Sequence, residues 1–194
     1  MFYPHLSYHS AVAQRNKIAG VALIVLALVL MGTEVLLQSL RQRYESHWKK
    51  FTSTEGNFSV VMPGKPKEET QSFLINGVKM EEHRFSVLFG NASFAVSYLD
   101  GPVLLTPAAG ERMLDAVGQA LTQGDGSKTL SAYKLIVNDY PVREYKTMAE
   151  DGSQTDIKLY LVRRRLYILI VAQDRVTYHE VNRFFDSFTS EPRE

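Results

Sequence analysis

The segment LYILIVA, Leu166 to Ala172, is a nearly continuous apolar run rich in residues that favour β-strands. A strand that is apolar on both sides has to be covered on both faces, because neither set of side chains can face water. The segment therefore predicts a central strand in the core of a β-sheet.

Short alternating runs separated by turn residues surround this segment, which is typical of an antiparallel sheet. We predict further strands at residues 57–62, 69–75, 78–89, 92–99, 129–137, 142–148 and 155–162. The pair Asn76-Gly77 favours a tight hairpin, because both residues tolerate a positive φ. In the segment 92–99, Phe94, Val96 and Tyr98 share one face of the strand, and we expect that face to be buried.

Two helices are predicted among the strands. The first begins at Thr106-Pro107, with threonine as N-cap and proline at the first helical position, and ends at Gly124. The second begins with the capping-box pair Thr177 and Glu180. Its apolar stripe contains Val181, Phe184, Phe185 and Phe188. This order of elements predicts an α+β domain in which an antiparallel sheet is flanked by helices.

The N-terminal part of the chain has a different character. Ile18 to Thr33 contains no charged residue, and a helix continued to Leu40 would be about 34 Å long, enough to span a bilayer core. No A-x-A cleavage pattern follows, and no cysteine allows a lipobox, so we predict an uncleaved signal anchor. The predicted organisation is a tail at 1–17, a transmembrane helix at 18–40, a stalk at 41–50 and an α+β domain at 51–190.

Two features of the anchor bear on its surroundings. Glu34 is the one charge within the predicted span, and it is expected to reach the interface or to pair with Arg41 or a partner subunit. Trp48 is expected to lie at the membrane interface. Counting lysines and arginines alone favours a cytoplasmic domain, but a short basic tail ahead of a long apolar run is the usual form of an exporting anchor. We therefore expect the C-terminal domain in the periplasm or a lumen.

Composition excludes several classes of function. Twenty-two basic and 21 acidic residues leave a net charge of +1, which provides no field for holding a nucleic acid. The absence of cysteine excludes disulfides, thiolate metal sites and cysteine nucleophiles. Hydrolase, metalloprotease and nucleotide-binding motifs are missing. We therefore predict neither an enzyme nor a cofactor.

The histidines of the N-terminal region are weak candidates for cofactor ligands. His5 and His9 have the i,i+4 spacing that would let two imidazoles face one metal or pigment on a helix, but Pro4 and the lack of a third ligand disfavour this. A partner-bound or disordered tail explains them better. His47, beside Trp48, could ligate a pigment or contact a lipid headgroup, and an ordinary interfacial side chain is the simpler interpretation.

Two clusters of polar residues occur within the predicted domain. His83 follows Glu81 and Glu82, but alternation along a strand sends neighbouring side chains to opposite faces and separates them. The run Arg163-Arg164-Arg165 lies between two apolar strands, where a tight turn would present at least two guanidinium groups to solvent. These arginines are either a solvated strand edge or a docking patch for an acidic partner or lipid headgroups.

Three stretches, FTSTEGNFSVVMPGKP at 51–66, YLVRRRLY at 160–167 and VNRFFDSF at 181–188, resemble landmarks of PsbP-like domains. The resemblance covers residues 51–189 and implies an antiparallel sheet between helices. In the photosynthetic branch of that family, the members are extrinsic subunits that stabilise a photosystem. No functional residue of the family can be assigned to a position here, and the predicted anchor distinguishes this chain from the soluble lumenal members.

We therefore expect a non-catalytic accessory subunit of a larger membrane complex, photosynthetic or otherwise energy-transducing. Its partners would be other transmembrane subunits, contacted through the N-terminal helix, together with membrane lipid. Glu34 and the arginines 163–165 are the expected partner-binding residues. The alternatives are a stand-alone anchored module that binds a ligand or an envelope component in a pocket between sheet and helix, and an enzyme with an unrecognised site.

Overall fold

The computed structural model describes residues 33–34, 36–38, 45, 47–75, 78–100, 106–123, 126–173 and 177–190. The chain divides into two compact units, Met1–Ser46 and His47–Glu194. The described residues of the first unit are helical and exposed, and Glu34 is one of them. Among the described residues, no helix has the length and hydropathy needed to cross a bilayer. Most of the predicted span 18–40 lies outside them, as do His5 and His9.

The second unit contains ten strands and two helices in its described part. The strands are β1 (Trp48–Ser53), β2 (Phe58–Pro63), β3 (Lys67–Ile75), β4 (Val78–Phe89), β5 (Ala92–Asp100), β6 (Lys128–Val137), β7 (Tyr140–Met148), β8 (Gln154–Val162), β9 (Arg165–Gln173) and β10 (Thr189–Ser190). The helices are α1 (Pro107–Thr122) and α2 (Tyr178–Asp186). Every predicted strand is present, with ends that differ by at most two residues.

Seven strands form one antiparallel sheet in the order β3-β4-β5-β9-β8-β7-β6. The predicted core strand is part of β9, which occupies the middle of this sheet, and that prediction is confirmed. A second antiparallel sheet has the order β1-β2-β10. The chain therefore has a mixed α+β fold with antiparallel sheets and few helices.

Helix α1 packs on one face of the large sheet, mainly on β7 and β8. Leu114 of α1 is fully buried in an apolar cluster with Leu159 of β8 and Ile168 of β9. The helix lies close to the sheet at two glycines: a Cβ atom on Gly110 would come within 2.6 Å of a methyl group of Leu161, and one on Gly118 would collide with the ring of Tyr145. The small residues of α1 thus allow the close approach.

The same interface contains a buried charge. Arg143 of β7 is only 2% exposed, and its guanidinium donates hydrogen bonds to Glu111 and, at 2.6 Å, to Asp115, both on α1. Lys134 of the neighbouring β6 also contacts Asp115 at 2.8 Å. Because an unpaired charge at this depth would be strongly unfavourable, the two carboxylates fix the position of α1 on the sheet.

The small sheet and helix α2 cover the opposite face through aromatic side chains. The ring of Phe58 in β2 is 5.9 Å from that of Tyr167 in β9. Phe184 of α2 contacts Phe94 of β5, with ring centroids 5.6 Å apart. The predicted face of Phe94, Val96 and Tyr98 is therefore buried, as expected. The capping box of α2 is also present, because the Glu180 carboxylate accepts the backbone N–H of Thr177 at 2.9 Å.

The N-terminal edge of the domain differs from the prediction. The expected stalk at 41–50 ends in strand, since β1 begins at Trp48, three residues before the predicted domain start at Phe51. Trp48 is buried between Phe94 and the guanidinium of Arg183, so it does not serve as an interface anchor. Its pairing with β2 and its packing on β5 depend on residues far along the chain, which local pattern does not reveal.

Candidate interaction surface

The predicted arginine turn connects β8 and β9. Val162 pairs with Arg165, so that Arg163 and Arg164 form a two-residue turn at the tip of the hairpin. Both are exposed, and Arg163 has a φ of 58°. The left-handed conformation costs a residue other than glycine roughly 1–2 kcal/mol. The turn therefore presents two guanidinium groups at one end of the sheet.

Arg165 has a different environment from its two neighbours. Its guanidinium donates two hydrogen bonds of 2.6 Å to the carboxylate of Asp100 and one of 2.8 Å to the carbonyl of Glu55. It also lies 4.6 Å from the ring centre of Tyr98. The hydrogen bonds that Arg165 donates to Asp100 raise the pKa of Arg165. Arg165 joins β9, β5 and the turn after β1, so the exposed patch consists of Arg163 and Arg164.

The edge strand β6 lies beside β7, and no other strand of the described residues pairs with it. Leu130, Tyr133, Leu135, Ile136 and Val137 are all exposed, and Ile136 is 78% exposed. An edge strand presents unpaired backbone N–H and C=O groups, and a long apolar edge is a site for pairing with another chain. The sequence predicted the strand but not its place at the edge.

A tight turn connects β6 to β7 at the same end of the sheet as Arg163. Asn138 and Asp139 have φ values of 49° and 65°, the signature of a type I′ turn. Both residue types tolerate the left-handed region because their short polar side chains bond locally. The pair could have been recognised from sequence as a hairpin signal.

Two clefts flank this turn, and Tyr140 contributes to both. The first, of about 380 Å³, lies beside the start of α1. Its apolar walls include Pro107, Ile136 and Leu161, and Arg163 lies on its rim. Because Ile136 belongs to the edge strand, the apolar edge, the cleft and the arginine turn form a continuous surface.

The second cleft, of about 570 Å³, lies beside the end of α2. Tyr160, Phe185 and Phe188 line it, together with Lys158. The ammonium of Lys158 is 3.2 Å from a carboxylate oxygen of Glu144 and lies over the ring of Phe185. Burial, followed by the negative charges of Glu144 and Asp186, raises the pKa of Tyr160 to about 12. The phenol is therefore neutral at physiological pH.

His83 does not join its sequence neighbours in a metal site. Its ring stacks on Tyr98 at 4.7 Å, its Nδ1 atom is 3.3 Å from the hydroxyl of Thr70, and Glu68 lies 4.0 Å away. These partners come from other strands and could not be identified from spacing. In the described part of the chain, no group of three or more acidic or histidine side chains could hold a metal ion.

The remaining candidate residues precede β1 in the sequence. His47 is exposed and immediately precedes β1, with its ring 5.9 Å from that of Phe89. Glu34 is a helical, exposed residue of the first unit. His5 and His9 are not among the described residues. Of these candidates, His47 belongs to the second unit and Glu34 to the first.

Comparison with known proteins gives a fold but no family assignment. No protein-family model matches the sequence, and no curated protein matches it. The solution structure of the cyanobacterial PsbP protein CyanoP from Synechocystis aligns with a TM-score of 0.51 and 15% sequence identity, covering 75% of this chain and 93% of CyanoP. A Pseudomonas aeruginosa protein of unknown function aligns with a TM-score of 0.34 and 14% identity, covering 66% of this chain and 83% of its own; that likeness supports no conclusion.

The domain therefore has a PsbP-like fold, in agreement with the resemblance of the three sequence landmarks. At this level of identity the similarity to CyanoP defines architecture alone. The features that could carry a function belong to this chain: the open apolar edge of β6, the turn formed by Arg163 and Arg164, and the two clefts.

Proposed function

We propose that this protein is a non-catalytic accessory subunit of a larger membrane complex. The observation that carries the proposal is the exposed edge strand β6, with five large apolar side chains open to solvent. Proteins generally shield edge strands with charges or bulges, and β6 has two lysines and a register shift at residues 129–131, but its five exposed apolar side chains can still pack against another chain. An edge of this kind fits a domain that functions while bound to a partner.

The membrane location rests on the sequence of the first unit. Residues 18–40 are long and apolar enough for one spanning helix, and a basic tail precedes them. We propose that this segment is an uncleaved anchor and that it contacts other transmembrane subunits and lipid. Glu34 is a candidate contact within the anchor, because a carboxylate at membrane depth requires a partner or a route to the interface.

The kind of complex is suggested by the PsbP-like fold. The structural relative from Synechocystis is named as a cyanobacterial PsbP protein. We propose that the present chain serves a photosynthetic or other energy-transducing assembly, with the domain on the extracytoplasmic side of the membrane. The anchor's short basic tail supports that orientation.

Migration of the full chain after extraction in a mild detergent tests this function. The chain is expected in a large assembly, and a Glu34→Gln variant is expected to dissociate from it more readily. A chain that runs alone under conditions that preserve other membrane complexes would contradict the proposal.

The second cleft favours one other function, a stand-alone anchored module that binds a ligand. Its volume and its aromatic lining from Tyr160, Phe185 and Phe188 resemble those of small-molecule pockets. A module of this kind would run alone in detergent and would be stabilised by its ligand. An accessory subunit would instead migrate in a large assembly and would not need a ligand for its stability.

A further inference from the structure

The tip of the β4–β5 hairpin, Leu88 to Asn91, is apolar on both sides of the sheet. Phe89 pairs with Ala92 across the turn, and Leu88 immediately precedes Phe89. Alternation along a strand sends these two side chains to opposite faces. Leu88 is 79% exposed and Phe89 is partly exposed. The hairpin tip therefore offers apolar contact at one end of the sheet.

The connection between β2 and β3 brings a lysine beside this tip. Gly64 in that connection lies against β4, because a Cβ atom on it would be 3.2 Å from a methyl group of Val87. Lys65 follows Gly64 and is exposed. Lys67, the first residue of β3, is already paired with Glu69 at 2.7 Å. The positive charge that this connection contributes to the tip is therefore that of Lys65.

The first strand of the domain adds two lysines at the same end of the sheet. The ring of Trp48 is 6.1 Å from that of Phe89, and Trp48 pairs with Pro63, just before the β2–β3 connection. Lys49 and Lys50 follow Trp48, and both are exposed. The segments 47–54, 58–67 and 85–99, which form this corner of the domain, contain no acidic residue.

The acidic residues at this end of the sheet lie away from the tip. Glu150 and Asp151 belong to the turn between β7 and β8, and β9 separates β8 from β5. Two strand spacings, about 10 Å, therefore lie between the two hairpins. Glu68 of β3 is 4.0 Å from His83, further along β4 from the tip. The end of the sheet is thus basic and apolar on the side of β1 and β4, and acidic on the side of β7.

The proposed anchor is close in sequence to this corner. Residues 41–47 separate Leu40 from Trp48, and seven residues extend at most about 25 Å. A domain on so short a tether reaches lipid headgroups first with the end that contains Trp48. Basic residues around an exposed apolar tip are the pattern with which a surface binds anionic lipid.

We propose that the β4–β5 tip is a second membrane contact, which docks the domain on an anionic lipid surface. Leu88 and Phe89 enter the boundary between headgroups and acyl chains, and the lysines at positions 49, 50 and 65 contact the headgroups. This inference rests on the proposed function, because it takes residues 18–40 as the membrane anchor. Docking at the tip leaves β6, at the far edge of the sheet, available to a protein partner.

Fluorescence quenching by lipid measures this contact in the full chain. Leu88→Cys introduces a single thiol, which is labelled with an environment-sensitive fluorophore. The chain is reconstituted in vesicles of equal parts phosphatidylglycerol and phosphatidylcholine that carry a nitroxide on the acyl chains. Ile136→Cys is the matched control, since Ile136 is 78% exposed but lies on β6.

We expect quenching at position 88, little at position 136, and much weaker quenching at position 88 in phosphatidylcholine alone. Lys49→Gln and Lys65→Gln should each lower the equilibrium constant for docking about fivefold, because a lysine near an anionic surface contributes about 1 kcal/mol. Arg164→Gln, an equal loss of charge on an exposed residue at the opposite end of the sheet, should leave the quenching unchanged.

Three results would overturn the inference. Equal quenching at positions 88 and 136, or quenching that is as strong without phosphatidylglycerol and in both lysine variants, would show non-specific contact. A chain that floats with the vesicles but is not quenched at position 88 would leave the anchor intact and show that the tip does not dock. A chain that does not float with the vesicles would contradict the anchor and the docking together.

Discussion

Arg143 is the residue whose burial requires specific partners. Its guanidinium is almost fully buried, while the side chains of Glu111 and Asp115 are 47% and 43% exposed. If the arginine is removed, the two carboxylates can be solvated by water. If the carboxylates are removed, a buried charge stays behind without an anion, which is the more unfavourable arrangement.

We predict that the double variant Glu111→Gln, Asp115→Asn lowers the free energy of unfolding by about 3 kcal/mol. Arg143→Met should lower it less, because the variant removes the buried charge and keeps much of the side-chain volume. Denaturant unfolding of the three chains under identical conditions measures both values. A larger loss in Arg143→Met would contradict this explanation of the network.

The same network predicts an acid dependence. Hydrogen bonds from Arg143, and then from Lys134, hold the pKa of Asp115 below its ordinary value. Because the folded-state pKa is the lower one, the stabilisation is complete above the ordinary aspartate pKa of about 3.9 and is lost as the pH falls towards the folded-state value. Asp115→Asn should therefore flatten the loss of thermal stability below about pH 4. If Asp115→Asn loses thermal stability at low pH as steeply as the original chain, Asp115 does not contribute to the acid dependence.

Residue-level detail is also where sequence is least informative. The run of three arginines predicted an exposed turn, and Arg163 and Arg164 do form one. Arg165 could not be separated from them, because its partner Asp100 lies 65 residues away. His83 and its stacking partner Tyr98 illustrate the same limit, since both are brought together by strand pairing.

At the scale of elements, helix α1 depends on a glycine where it crosses β7. A Cβ atom on Gly118 would overlap the ring of Tyr145. We predict that Gly118→Ala lowers the free energy of unfolding by about 1–2 kcal/mol, although alanine is the better helix former. Gln119→Ala, an exposed change in the same helix, should alter stability by less than about 0.5 kcal/mol. If the Gly118→Ala chain is more stable than the original, the ring of Tyr145 can move aside at little cost, and the prediction is wrong.

The elements themselves follow largely from local sequence. Strand alternation, the capping residues Thr106 and Thr177, and turn chemistry gave the strands of the large sheet and both helices of the domain. β1 was missed because its residues continue a helix-favouring segment without a break. Its strand conformation is stabilised by pairing with β2 and by burial of Trp48 against Phe94. Tertiary contacts thus overrode local preference there.

At the scale of the whole molecule, the proposed orientation can be tested with one residue. Ile136→Cys places a single thiol on an exposed position of the domain in a chain that has none. If the domain is periplasmic, we predict that a membrane-impermeant maleimide labels this cysteine in intact cells to the same extent as in lysed cells, because a periplasmic domain is accessible from outside the inner membrane. Labelling that appears only after lysis would show that the domain is not periplasmic.

The candidate surface was only partly predictable. The arginine turn could be found from sequence because turn position and charge are local properties. The open edge of β6 could not, since the strand order that leaves it unpaired depends on how β7, β8 and β9 assemble. A run such as KTLSAYKLIV is equally compatible with a central strand, and only the sheet order shows that it faces solvent.

The mass of the particle that contains the full chain, measured by native mass spectrometry after mild detergent extraction, tests the proposed role most directly. The chain contributes 22.0 kDa, and an accessory subunit should appear in a particle several times heavier that contains other proteins. A particle that contains only one or two copies of this chain would contradict the proposal.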